Sequence, residues 1–144
     1  MARIQFCKND EVPFIGGGNG IGASRERHNT GDSLHAFEVK LPPHHKTQLH
    51  AHQEDEIIHV LGGQMTVGNQ VLGPGDSVFI EGMTLYGFEA GPEGVNFINF
   101  RPHFDLTFYR NEEFHEYRKL DAAGRAEMDE RILARQKALM QWDD

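Results

Sequence analysis

Seven consecutive residues hold the densest chemistry in the sequence: His50-Ala51-His52-Gln53-Glu54-Asp55-Glu56. In an extended strand successive side chains point to opposite faces, so His50 and His52 share one face and Ala51 takes the other. Gln53 to Asp55 are polar and form a short turn. Glu56 then opens the next strand and can return to the face of the histidines. Two imidazoles and one carboxylate on one face make a facial triad with open coordination positions. Such a set suits Fe(II) and also takes Mn, Ni, Co or Zn. Two histidines on the wet face of a strand would satisfy the same spacing.

Holding such a triad is work for short strands, and the flanking sequence predicts them. His35–Leu41 alternates and stops at Pro42-Pro43. Residues 56–61 are rich in β-branched types and meet Gly62-Gly63. Residues 64–67 run into Gly68-Asn69, a hairpin turn. Residues 70–72 meet Gly73-Pro74-Gly75-Asp76, residues 77–80 follow, and 95–101 form a last strand before Pro102. Short strands with Gly/Pro turns and no intervening helix predict an antiparallel sandwich or barrel over 35–106. Residues 1–34 read as a glycine-rich arm around Gly16-Gly17-Gly18-Asn19-Gly20-Ile21-Gly22. No frame of that run supplies the glycine spacing of a dinucleotide loop. Residues 107–144 read as a helical tail, rich in Ala, Glu, Arg, Leu and Met. Met128, Ile132, Leu139 and Trp142 form its apolar stripe, expected to pack on the barrel or on a partner subunit.

Composition excludes several classes. The 144 residues suffice for one domain, with 38% hydrophobic and 25% charged residues. A formal net charge of −8 argues against binding a phosphate backbone, so no nucleic-acid partner is expected. No window reaches the length of a membrane span, and the N-terminus lacks the apolar stretch of a signal peptide. Cys7 is the single cysteine, so no internal disulfide forms; with these features it agrees with a cytoplasmic location.

The stretch around the histidines resembles the first motif of the cupin superfamily: His50, one residue, His52, three residues, Glu56, six residues, Gly63. The lead-in Lys40-Leu41-Pro42-Pro43 is similar as well, although His44 stands where the family usually has glycine. The second motif begins well at Gly75-Asp76-Ser77-Val78-Phe79-Ile80 and then departs. Glu81 replaces the usual proline, Met83 the usual glycine, and Tyr86 the usual metal-binding histidine. The resemblance covers roughly 35–106 and implies an all-β fold, a double-stranded β-helix or jelly-roll barrel, here with a C-terminal α-helical tail. It also implies one divalent transition metal per chain inside the barrel, held by His50, His52 and Glu56. Tyr86 would then bind as phenolate, bond to a metal-bound water, or leave a wider opening for substrate. Homodimers are common in the family, and exposed sheet edges need cover, so a homodimer is expected.

Other polar residues complete the candidate site. His44 and His45 follow two prolines and are placed at the barrel mouth, with His44 a candidate substrate contact. Phe97, Asn99 and Arg101 share one face of the last strand. Facing inward, Arg101 could hold a substrate carboxylate bidentately. His59 lies three residues after Glu56 and falls on the opposite face. His103 is a weaker replacement for the missing ligand, and the cluster Arg25-Glu26-Arg27-His28 reads as a solvated edge. The function expected is a metal-dependent cupin acting on a small organic molecule, foremost a non-haem oxygenase or dioxygenase using Fe(II). A lyase or isomerase with Tyr86 as catalytic proton carrier is the alternative within enzymes. A non-catalytic small-molecule-binding cupin is the alternative outside them.

Overall fold

Glu56, Ile58 and Val60 are buried while Ile57 and Leu61 are exposed. This period-2 pattern lays one face of a strand against a core. The computed structural model describes residues 3–16 and 22–140. Gly17 to Ile21, the middle of the glycine run, and Trp142 lie outside the described residues. In chain order the elements are β1 (Ile15–Gly16), β2 (Ala23–Asn29), β3 (His35–Leu41), β4 (His50–Ala51), β5 (Glu56–Val67), β6 (Gln70–Leu72), β7 (Ser77–Ile80), β8 (Phe88–Arg101), β9 (Tyr109–Arg110), α1 (Asn111–Tyr117) and α2 (Ala122–Met140). All strand pairings among them are antiparallel. The larger sheet runs β1-β2-β3-β8-β5-β6, with β7 also on β5, and β4 and β9 form a small second sheet.

The chain from His44 to His50 ties the two sheets together along residues 86–91. His50 and Tyr86 exchange both backbone hydrogen bonds at 2.9 Å, and further bonds link His44 to Gly91, His45 to Ala90 and Thr47 to Phe88. The result is a jelly-roll barrel closed over Ile58, Val60, Met65, Ile80, Ala90, Val95 and Phe97.

Two strands are longer than the sequence predicts. Gly62-Gly63 does not end a strand: it bulges within β5, where the register against β8 shifts. Gly63 and Gly94 face each other at that bulge with φ of +70° and +83°, and a Cβ on Gly63 would stand 2.2 Å from the Gly94 carbonyl oxygen. Only glycine allows the two backbones to approach so closely.

The first 34 residues are also less irregular than expected, because β2 adds to the sheet beside β3. Arg25 is buried, not solvated. It pairs across the strands with Glu38 at 2.8 Å and donates to the carbonyls of Asn9 and Val12, fastening the N-terminal segment to the sheet. A guanidinium with five donors can bind a carboxylate and two carbonyls at once.

The helical tail breaks in two at Arg118–Asp121, where the Asp121 carboxylate accepts from the Gly124 amide and caps α2. Met128 and Ile132 are buried with Ala51, Tyr109 and Phe114 in a second core behind β4. Leu139 departs from the expected stripe and is 56% exposed. It lies near the end of α2. Ile132→Ala is therefore expected to cost about 2–5 kcal/mol, as large-to-small changes in a packed core do. Leu139→Ala is expected to stay within about 0.5 kcal/mol. Urea unfolding of the two variants checks the contrast.

Candidate metal centre

His50 lies in β4 and His52 just beyond it. With Ala51 turned outward into the second core, both imidazoles face the barrel. Their rings are 4.9 Å apart, and Phe108 stacks on His50 at 4.6 Å with the planes 7° from parallel. Tyr86 stands directly across from His50, and its ring shares the same face, 4.6 Å away. Each histidine is held by its Nδ1, His50 on the Gln48 carbonyl at 2.8 Å and His52 on the Thr107 carbonyl. A carbonyl oxygen only accepts, so the proton sits on Nδ1 and Nε2 keeps its lone pair. Burial pushes the His50 pKa down. It lowers that of His52 to about 4, helped by the nearby Arg101 guanidinium. Both rings are therefore neutral donors at neutral pH.

Glu56 is 2% exposed at the start of β5. Its Oε2 accepts from Asn99 Nδ2 at 3.1 Å and from Arg101 Nε at 3.1 Å, with Arg101 Nη2 also at 3.1 Å. Its Oε1 accepts from the Tyr86 hydroxyl. Burial, the Glu56 charge and that hydrogen bond all push the Tyr86 pKa above the usual phenol range, so the side chain is a neutral phenol.

No protein-family model matches the sequence, and no curated protein matches it. Solved structures do. An RmlC-like cupin from Shewanella frigidimarina NCIMB 400 is similar at 20% identity, over 71% of this chain and 93% of that one, with a TM-score of 0.60. The polyketide cyclase RemF from Streptomyces resistomycificus is similar at 21% identity over 83% and 94%, with a TM-score of 0.61. KdgF from Halomonas sp. is similar at 26% identity over 69% and 96%, with a TM-score of 0.60. The chain has the cupin fold.

Within this fold the candidate ligands share one feature: each is anchored by its far atom. Nδ1 of His50 and of His52 is fixed on a backbone carbonyl, and Oε2 of Glu56 is fixed by Asn99 and Arg101. The ends left toward the barrel are two Nε2 lone pairs and Oε1. Ligating histidines and carboxylates are characteristically oriented by such outer partners. In chemistry and orientation the donor set fits a divalent transition metal. Its spacing is not closed, for among the described residues no three His, Cys, Asp or Glu side chains stand close enough together to hold an ion. Oε1 instead faces the Tyr86 hydroxyl.

The remaining candidates divide. Arg101 shares the inward face of β8 with Phe97 and Asn99, a direction that strand alternation alone leaves open, but the carboxylate it holds is the protein's own Glu56, and its Nη1 donates to the Asp105 carbonyl at 2.9 Å. It is not a free clamp for substrate. His44 is not brought to the site. It is exposed at the turn after β3, and its amide bonds to Gly91 toward the opposite end of β8 from Arg101. His103 is exposed and points to Glu54 at 3.3 Å, away from the place of a fourth ligand.

Sequence reasoning missed Phe108 and the loop that carries it. In that loop the Asp105 carboxylate accepts from the Glu54 amide and from the Thr107 amide and hydroxyl, and the Thr107 hydroxyl accepts from the Gln53 amide. This clasp sets the Thr107 carbonyl against His52. A backbone carbonyl leaves no mark in residue type, so no sequence signal marks it.

The lowered histidine pKa values give the metal-free protein a pH dependence. Below the ordinary histidine pKa near 6.5 the unfolded chain takes up protons that the folded chain refuses until about 4. Stability rises with pH wherever the unfolded state binds more protons. The chelator-treated protein is thus expected to lose stability as pH falls from about 6.5 toward 4. His52→Gln should flatten that slope. Melting temperatures across this pH range measure both.

Proposed function

We propose that this chain is a metal-dependent cupin enzyme acting on a small organic molecule, with His50, His52 and Glu56 holding one divalent transition metal. The observation that carries the reading is the anchoring of all three candidate ligands by their far atoms, with both imidazoles neutral and Nδ1-protonated. RemF, similar in fold, is a polyketide cyclase, so the fold carries enzymes. A bound metal with two nitrogen donors, one carboxylate and open positions supplies oxygen activation when it is Fe(II), and Lewis acidity when it is redox-inert. An Fe(II) oxygenase or dioxygenase is the first reading, because the donor set is the facial triad of such sites.

Around that centre the chain's own residues have separate tasks. Phe108 and Tyr86 wall the histidines and keep water from them. Asn99 and Arg101 keep the Glu56 carboxylate in one orientation. The Tyr86 phenol carries a proton at its hydroxyl, poised between Glu56 and the barrel interior. That last feature favours a second reading, a lyase or isomerase in which Tyr86 passes a proton to or from the substrate.

Elemental analysis of protein prepared without chelator or histidine tag tests the proposal. One metal per chain is expected, lost in His50→Ala, His52→Ala and Glu56→Ala. Full metal in both His50→Ala and Glu56→Ala would sink it. Bound iron with oxygen uptake selects the oxygenase, bound zinc selects the lyase or isomerase, and no metal at any loading leaves a non-catalytic binding protein.

A further inference from the structure

We propose that the Tyr86 hydroxyl is the resident occupant of the Glu56 ligand position, so that a metal ion loads by exchanging with the phenol. The inference rests on the metal-centre reading above and goes beyond it, assigning Tyr86 control of loading.

Three constraints carry it. The Glu56 carboxylate cannot turn away, because Oε2 is pinned by Asn99 and by two nitrogens of Arg101, all at 3.1 Å. The direction of Oε1 is therefore set, and the group that meets it is the Tyr86 hydroxyl. Tyr86 in turn cannot withdraw by moving its backbone, since paired 2.9 Å hydrogen bonds hold it to His50. Its ring lies 4.6 Å from the His50 ring and 6.4 Å from the His52 ring, on the face where their Nε2 atoms are free. A cation that takes the Oε1 lone pair now met by the hydroxyl displaces it, and with the backbone held the phenol moves by side-chain rotation. The phenol keeps its proton throughout; one O–H···O contact is exchanged for one metal–oxygen contact. This accounts for a donor set that is oriented for a metal yet not drawn together.

The consequence is a competition that a ligand or a bystander would not show. Tyr86→Phe removes the competitor and keeps the ring, so Zn²⁺ should bind tighter by about tenfold or more, the weight of one hydrogen bond to a charged group. Calorimetric titration of the full chain with Zn²⁺ measures this, with His50→Ala as the control that loses binding. A second measurement uses the native chain alone. Zn²⁺ should produce an ultraviolet difference spectrum of tyrosine as Tyr86 changes partners, and Tyr86→Phe should abolish it, because Tyr109 and Tyr117 are bonded to Asp129 in the second core. Equal or weaker Zn²⁺ binding by Tyr86→Phe overturns the exchange, weaker binding marking the phenol as a ligand. A flat difference spectrum with Zn²⁺ bound overturns it too. No Zn²⁺ binding by either protein overturns the metal centre itself and the exchange with it, an outcome distinct from equal binding by both.

Discussion

A carboxylate inside a barrel must be met by several donors at once, because removing a charge from water costs several kcal/mol that only good partners offset. Glu56 is that carboxylate, and the arrangement of the site follows from satisfying it. Asn99 and Arg101 reach it from β8, Tyr86 from the segment that pairs with β4, so the polar clamp joins both sheets. Replacing one partner would leave a buried charge short of donors, whereas the whole group is self-consistent. The same clamp places a cation, a neutral amide and a phenol around one carboxylate beside the two histidines.

β4 gives the second layer of organisation. The strand and the residue after it serve two cores, His50 and His52 facing the barrel and Ala51 facing the helices. The tail is therefore a brace for the site. Tyr109 donates to Asp129 of α2 and accepts from Gln53 beside His52, while Arg135 of α2 reaches the Phe108 carbonyl at 2.7 Å. Through these contacts the strand with the histidines, the loop with Phe108 and the long helix form one packed unit. A site held this way owes its geometry to residues that never approach the candidate ligands.

What the sequence determined by itself was whatever depends on local periodicity and residue type. The shared face of His50 and His52, the opposite facing of Glu56 and His59, and the shared face of Phe97, Asn99 and Arg101 all follow from the strand's period of two; which face is inward does not. The hairpin at Gly68-Asn69 and the helical character of the tail follow from turn chemistry and helix propensity. Tertiary structure decided the rest, because the forces involved act between residues distant in sequence. Arg101 was readable as a cation on the face of Phe97 and Asn99, but its partner is 45 residues away, and only the pairing of β5 with β8 brings Glu56 to it. His44 looked like a neighbour of His50 in sequence, yet an extended chain carries six residues about 20 Å, enough to leave it at the other end of the barrel. Gly62-Gly63 looked like a strand end, and became a bulge only because β8 lies alongside to continue the ladder. The Thr107 carbonyl that fixes His52 has no sequence signature at all, since every residue carries a carbonyl and only the folded loop decides where it points.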